Sequence, residues 1–174
     1  MSIDSNTRLT VQFSPVSGDR HPWENSTNGL IQRTLQLAQQ HIDLALFVFS
    51  AQPLSHTLEK KSQHGVEIRA LIDASFIYRS YSEALDMMGI ARLNKYCKYD
   101  VGYAPWLYPL MTVGSPEMPV GDKLHHKFAV IDQAIVITGS QNWSKNANHQ
   151  NDEAVIILHS EVAAAHFLRE FDRL

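Results

Sequence analysis

Apolar and polar residues alternate over Leu9 to Phe13 (LTVQF) with the period of two expected of a short strand. A polar stretch rich in Ser, Gly and Pro follows as far as Trp23. Asn25, Ser26 and Thr27 then each offer an N-cap for an amphipathic helix whose inner face is Leu30, Ile31, Thr34, Leu35 and Ala38. Ile42 to Phe49 (IDLALFVF) is almost unbroken apolar and β-rich, the pattern of a strand covered on both faces. A second helix fits Pro53 to His64, with proline in its first turn and Gly65 at its end, and Val66 to Asp73 (VEIRALID) reads as another strand. Strand, helix, strand, helix, strand is the order of a sheet with helices packed on its faces, so the fold class is α/β.

Ser82 to Met88 predicts a short helix. Gly102 to Asp122 is the least regular part of the chain, with four prolines and the rings of Tyr103, Trp106 and Tyr108. A loop of that length carrying large rings predicts a lid or partner-facing arm rather than a linker. Leu124 to Ile131 and Ala134 to Thr138 read as paired strands, Ala154 to Leu158 as a further strand, and Glu161 to Leu174 as a closing helix.

At 174 residues and 44% hydrophobic, the chain suffices for one domain, expected to span 1–174. No run approaches the roughly 18 apolar residues of a membrane span, and Met1 to Thr10 has neither a basic start nor an apolar stretch. A soluble chain without a visible secretion signal is expected, cytoplasmic or, had a signal been removed, periplasmic. The single cysteine, Cys97, excludes an internal disulfide and a multi-cysteine zinc site. Fifteen Lys and Arg against 18 Asp and Glu give a net charge of -3, which argues against a protein that coats nucleic acid with its whole surface. A polyanion would have to meet a local patch, Lys60 and Lys61 with Arg69, or Arg92, Lys95 and Lys98, although such clusters are commonly solvated faces.

Chemistry concentrates in "KLHHKFAVIDQAIVITGSQNWS", Lys123 to Ser144. Along a strand alternate side chains share a face, so His125 and Lys127 project together while Leu124, His126 and Phe128 project the other way. An imidazole beside a partly buried ammonium is poor design unless an anion sits between them, and phosphate is the natural third party. The Gly139-Ser140-Gln141-Asn142 turn adds backbone amides, a hydroxyl and a carboxamide at the end of the next strand, all suited to phosphate oxygens. Asn151 and Glu153 enter a later strand, and a carboxylate there is placed to hold one ring nitrogen of a histidine.

His125, Lys127, Asp132, Gly139, Ser140 and Asn142 match without a gap the HKD signature of the phospholipase D superfamily, and "ANHQNDEAVII" (Ala147 to Ile157) resembles its usual continuation. "FSP", "IDLALFVFS" and "GVEIRALID" resemble the N-terminal half of single-motif bacterial members, small endonucleases of the Nuc type, and of the mitochondrial Zucchini group. The resemblance implies a phospholipase D-like fold, a mixed, mostly parallel β-sheet flanked by helices on both faces. It also implies a two-step phosphodiester transfer. His125 would form a phosphohistidine, Lys127 and Asn142 with Ser140 would neutralise the nonbridging oxygens, and Glu153 would orient His125. Asp132 would act as a structural or hydrogen-bonding member. No cofactor is expected.

That mechanism uses two motifs, and none of the other histidines (His21, His41, His56, His64, His149, His159, His166) begins a second. The expected unit is a homodimer with its active site at the two-fold axis, or else half of a longer two-motif protein. His126 should point away into a structural role, Trp143 should pack behind the turn, and His149 is a candidate at the edge of the substrate site. A metal held by His125, His126 and Asp132 is the rival mechanism. It is disfavoured because Lys127 repels a cation and neighbouring strand side chains diverge. DNA or RNA is the expected substrate; the alternatives are membrane lipid, approached through Trp106, Leu107, Leu110 and Met111, or a nucleic-acid-binding module that does not cleave.

Overall fold

The apolar runs become the strands of a single sheet. The computed structural model describes residues 7–15, 22–91, 96, 98 and 104–174; Arg92, Lys95, Cys97, Tyr103 and His21 lie outside them. The strands are β1 (Arg8–Ser14), β2 (His41–Leu46), β3 (Glu67–Ile72), β4 (Val113–Gly114), β5 (Lys127–Ile131), β6 (Ile135–Gly139) and β7 (Glu153–His159). They join in the order β1-β7-β6-β5-β2-β3-β4. The helices are α1 (Thr27–Leu35), α2 (Gln52–Gln63), α3 (Glu83–Met87), α4 (Lys145–His149) and α5 (Glu161–Arg173).

The sheet is mixed, as expected, but its pairing is mainly antiparallel. β1–β7, β7–β6, β6–β5 and β5–β2 are antiparallel, and only β2–β3 and β3–β4 are parallel. The reason is the connections. Only a crossover such as α2 can return the chain parallel, whereas Asp132 and Gln133, both at positive φ (48° and 55°), turn β5 directly back into β6.

Helices cover both faces. On one, α1, α2 and α3 pack over Ile42, Leu44, Leu46, Ala129, Ile131 and Ile137. On the other, Ala163, Ala164 and Phe171 of α5 pack over Ala45, Phe128, Val130 and Val136. Of the three possible N-caps for α1, Ser26 is used, its hydroxyl accepting from Gly29 N at 3.0 Å.

From Ala104 onward the irregular segment is anchored to the fold at several points. Trp106 is buried and its indole donates to Ser55 Oγ at 3.3 Å; Trp106 N bonds Asp86 O, Leu110 packs against the core, and β4 extends the sheet. Two of the four residues expected to form an apolar approach are therefore core residues, while Leu107, Tyr108 and Met111 stay exposed. Asp86 also accepts from Gln52 Nε2 and Ala104 N, both at 3.1 Å. Burial, with the neighbouring Asp86 charge, pushes the Glu83 carboxyl up to about 8, so this acid sits neutral beside its neighbour at neutral pH.

The candidate basic patch of Lys60, Lys61 and Arg69 does not assemble at Arg69, in keeping with the solvated-face reading. Its guanidinium bonds Asp43 Oδ1 at 2.6 Å and Asp172 Oδ1 at 3.2 Å and lies over the Phe171 ring, while Lys61 Nζ donates to Ala38 O.

Candidate active site

β5 begins at a histidine–lysine pair. The regular strand starts at Lys127, three residues later than the sequence pattern suggests, yet the backbone stays extended enough for Phe47 N to bond His126 O at 2.8 Å. Alternation therefore persists across the boundary. Lys127 Nζ lies 3.2 Å from His125 Nδ1 and 3.3 Å from Nε2, and donates to His125 O at 2.8 Å. His126 turns the opposite way, its Nε2 2.8 Å from Glu170 Oε1 on α5.

The electrostatics follow from that geometry. Local desolvation and then the Lys127 charge hold the His125 imidazole below its ordinary range, while the more distant Asp73 pulls it back up. Burial likewise lowers the Lys127 ammonium, opposed by Glu153. A histidine so placed is largely neutral near neutral pH, with a ring lone pair available to attack.

Two further elements hold the pair in place. Asp73, buried at the end of β3, accepts from Leu124 N at 2.9 Å through Oδ2 and from Ser75 N at 2.9 Å through Oδ1, which fixes the backbone one residue before His125. The Phe47 ring packs against the His125 ring at 4.4 Å between centroids and is itself wedged by Phe76 at 4.6 Å. Sequence reasoning missed both. An aspartate at the C-terminal end of a parallel strand was the available signal for the first; nothing local marks Phe47.

The turn after β6 forms the neighbouring wall. Gly139 has φ 141°, and a Cβ there would meet Ala154 O at 2.0 Å, so only glycine fits. Ser140 N donates to Ala154 O, and Ser140 Oγ accepts from Ala154 N at 3.0 Å, which leaves the hydroxyl proton free to donate. Gln141 is buried and spent on the fold: Nε2 donates to Asn28 Oδ1 at 3.0 Å, in a network that runs through Asn148 to Thr27. Asn142 differs, because among the described residues its Oδ1 is buried without a partner and its side-chain amide forms no hydrogen bond within the fold. Trp143 packs edge-on to Phe49 at 5.8 Å in the core behind the turn.

The antiparallel register, Ala129 opposite Ile137 and Gly139 opposite Val155, carries Lys127, the Gly139 turn and Glu153 toward one end of the sheet. The hydrogen bond that Glu153 makes is with Asn151 Nδ2 at 3.4 Å, not with His125. His149 is exposed at the end of α4, its ring against Asn148 rather than against the charged pair.

Asp132 is not at this end. Five residues from Lys127 along an extended strand is about 16 Å. Its carboxylate accepts from Gln39 N, Gln40 N and His41 N at 2.7, 2.8 and 2.8 Å, and so staples the β5–β6 turn to the start of β2. Burial would raise this acid, but the three amides outweigh it and hold it below the usual carboxylate range. With Asp132 at the far end and His126 on Glu170, the three residues of the rival metal reading point to three different places.

A family model described as cardiolipin synthase, PLD-like domain, matches residues 31–174, which contain every site residue above. The chain belongs to this PLD-like family. Among curated relatives, mitochondrial cardiolipin hydrolase from Canis lupus familiaris is 29% identical over 153 residues, 88% of this chain and 52% of that protein. The Mus musculus protein of the same name is 28% identical and 60% covered. The chain thus spans about half to three fifths of the length of these relatives. Among solved structures, the phospholipase D family member Nuc from Salmonella typhimurium superposes with a TM-score of 0.71 at 19% identity, covering 96% of this chain and 93% of that one. NucT from Helicobacter pylori gives 0.71 at 15%, covering 96% and 94%. PLD-like architecture is therefore common to this chain and these structures. Among the described residues, no helix is long and apolar enough to cross a membrane.

Proposed function

We propose that this PLD-like chain is a metal-independent phosphodiesterase that cleaves DNA or RNA through a phosphohistidine, with two copies sharing one reaction centre. The observation that carries the reading is the His125–Lys127 contact at 3.2 Å, a neutral nucleophile beside a cation that no carboxylate within the described residues neutralises by direct contact.

In the first step a ring nitrogen of His125 bonds to phosphorus and the phosphorus–oxygen bond to the leaving alkoxide breaks. The His125 of a second copy, protonated, supplies the proton that the alkoxide takes. In the second step that same imidazole, now neutral, removes a proton from water as it attacks phosphorus and frees His125. Lys127 Nζ, the Ser140 hydroxyl and the Asn142 amide balance the nonbridging oxygens as charge builds. Drawing the ammonium onto a phosphate oxygen also takes it off the imidazole ring, so binding uncovers the nucleophile. Glu153 orients the site through its field on Lys127.

Support for nucleic acid comes from the resemblance of the single-motif chain to small Nuc-type endonucleases. A lipid substrate is the second reading, favoured by the family description and by relatives named cardiolipin hydrolase, together with the exposed Leu107, Tyr108 and Met111. The test is to incubate the chain with labelled single-stranded DNA, duplex DNA, RNA and cardiolipin vesicles, each with excess chelator, beside His125→Ala. The proposal expects nucleic acid to be cut by wild type alone, undisturbed by chelator. Turnover of cardiolipin alone reverses the substrate assignment; binding without turnover makes the chain a non-cleaving module.

A further inference from the structure

A second lysine stands beside the nucleophile, outside the matched motif. Lys123 lies two residues before His125, as Lys127 lies two after, so all three project from one extended run. The backbone between Lys123 and His125 is fixed, because Leu124 is buried and its amide is held by Asp73. Phe47 is the common floor: Lys123 Nζ lies 5.9 Å and Lys127 Nζ 4.8 Å from the ring centroid, and the His125 ring packs on it at 4.4 Å.

The two lysines are not equivalent. Lys127 touches the imidazole at 3.2 Å and is half-buried, so it meets the reacting phosphate. Lys123 is exposed, forms no ion pair among the described residues, and acts on His125 only through its charge, which disfavours the protonated ring. Lys123 stands two residues of extended chain, about 7 Å, from His125 and four, about 13 Å, from Lys127, a displacement suited to the next phosphate of a substrate rather than to the same one. A second cation clustered at a nucleophile in a chain of net charge -3 is unfavourable in isolation and becomes favourable when a further anion arrives.

Resting on the phosphodiesterase reading above, we infer that Lys123 is a specificity-determining residue that binds a second phosphate, adjacent to the one attacked by His125. The ligand chemistry is a substrate with two neighbouring phosphates, which an oligonucleotide and a diphosphate lipid such as cardiolipin both provide.

The test compares substrates that differ by one phosphate. In the nucleic-acid arm these are thymidine dinucleotide, with a single phosphodiester, and the trinucleotide, with two. In the lipid arm they are vesicles of phosphatidylglycerol and of cardiolipin. In the arm that the enzyme turns over, wild type should gain about tenfold in kcat/KM from the second phosphate, mostly in KM. Lys123→Ala should erase most of that gain and Lys123→Arg restore it. Because the readout is a ratio within each variant, any change in the basicity of His125 cancels.

Should wild type turn over neither pair, the catalytic reading fails and the lysine is judged by binding. His125→Ala and the same variant with Lys123→Ala are titrated with the trinucleotide and with soluble short-chain cardiolipin. Lys123 is expected to contribute about five- to tenfold in affinity for one of them, with a shallower salt dependence once removed. Equal gains in wild type and Lys123→Ala, equal affinities, or no binding to either ligand overturn the inference.

Discussion

The two ends of β5 carry the named residues of one motif and do opposite things with charge. At the start of the strand, His125 and Lys127 hold each other at 3.2 Å, both pushed toward their neutral forms. At the far end, Asp132 is saturated by three backbone amides within 2.8 Å and held firmly in its charged form. The first end is incomplete without an anion and the second needs nothing. We propose that His125 and Lys127 belong to the reaction, and that Asp132 belongs to the scaffold that keeps them in register.

Substitutions should separate the two ends, beginning with the nucleophile. His125→Ala is expected to lower turnover of whichever phosphodiester proves to be the substrate by about a thousandfold or more, while the unfolding free energy in denaturant stays within about 0.5 kcal/mol, since the side chain is exposed. Loss of folding together with loss of activity would mean that the site is not separable from the scaffold.

Lys127→Met should lower kcat by about a hundred- to thousandfold, with stability unchanged or raised, because a half-buried cation is removed. It should also move the His125 titration upward, since the lysine charge is one of the causes holding it down. Observing the ring protons of His125 by NMR across pH checks the sign, and a downward movement contradicts the electrostatic account.

At the other end the balance reverses. Asp132→Ala should lower stability by about 1 to 2 kcal/mol by removing three hydrogen bonds from exposed and partly exposed amides to a charged carboxylate, yet leave turnover per folded molecule within about threefold. The pH dependence has a definite sign. The folded-state carboxyl lies below its unfolded value of about 3.9, so its contribution is full above that pH and fades as pH falls through the depressed value. Acid unfolding of the variant should therefore lack this component. Smallest of all, His126→Asn loses a partly exposed contact to Glu170, worth about 0.5 to 1 kcal/mol, and should leave activity within about threefold.

How far the sequence revealed this division depends on the range of each interaction. The facing of His125 and Lys127, and the turning away of His126, follow from alternation within three residues. The apolar runs of β2 and β3 and the period of α1 were legible for the same reason. Even the separation of Asp132 was available, since five extended residues cannot return to the starting point. What stayed hidden joins distant segments. Asp73 reaches Leu124, Gln141 reaches Asn28, and β1 pairs with β7 across most of the chain. The pairing departs from the mostly parallel sheet that the resemblance implied, because only the strands reached by crossovers, β2–β3 and β3–β4, lie parallel, whereas the others pair antiparallel. Glu153 shows the opposite limit: its proximity to Lys127 emerges, but the bond to His125 that the family resemblance implies is not formed.

The central claim is that one chain brings one histidine and a second copy brings the other. Wild-type and His125→Ala chains can be unfolded together, refolded at varied ratios and assayed at constant total protein. If both imidazoles are required, mixed pairs are silent and activity falls as the square of the wild-type fraction. Activity that falls in simple proportion to that fraction would mean that each chain works alone, and would contradict the account.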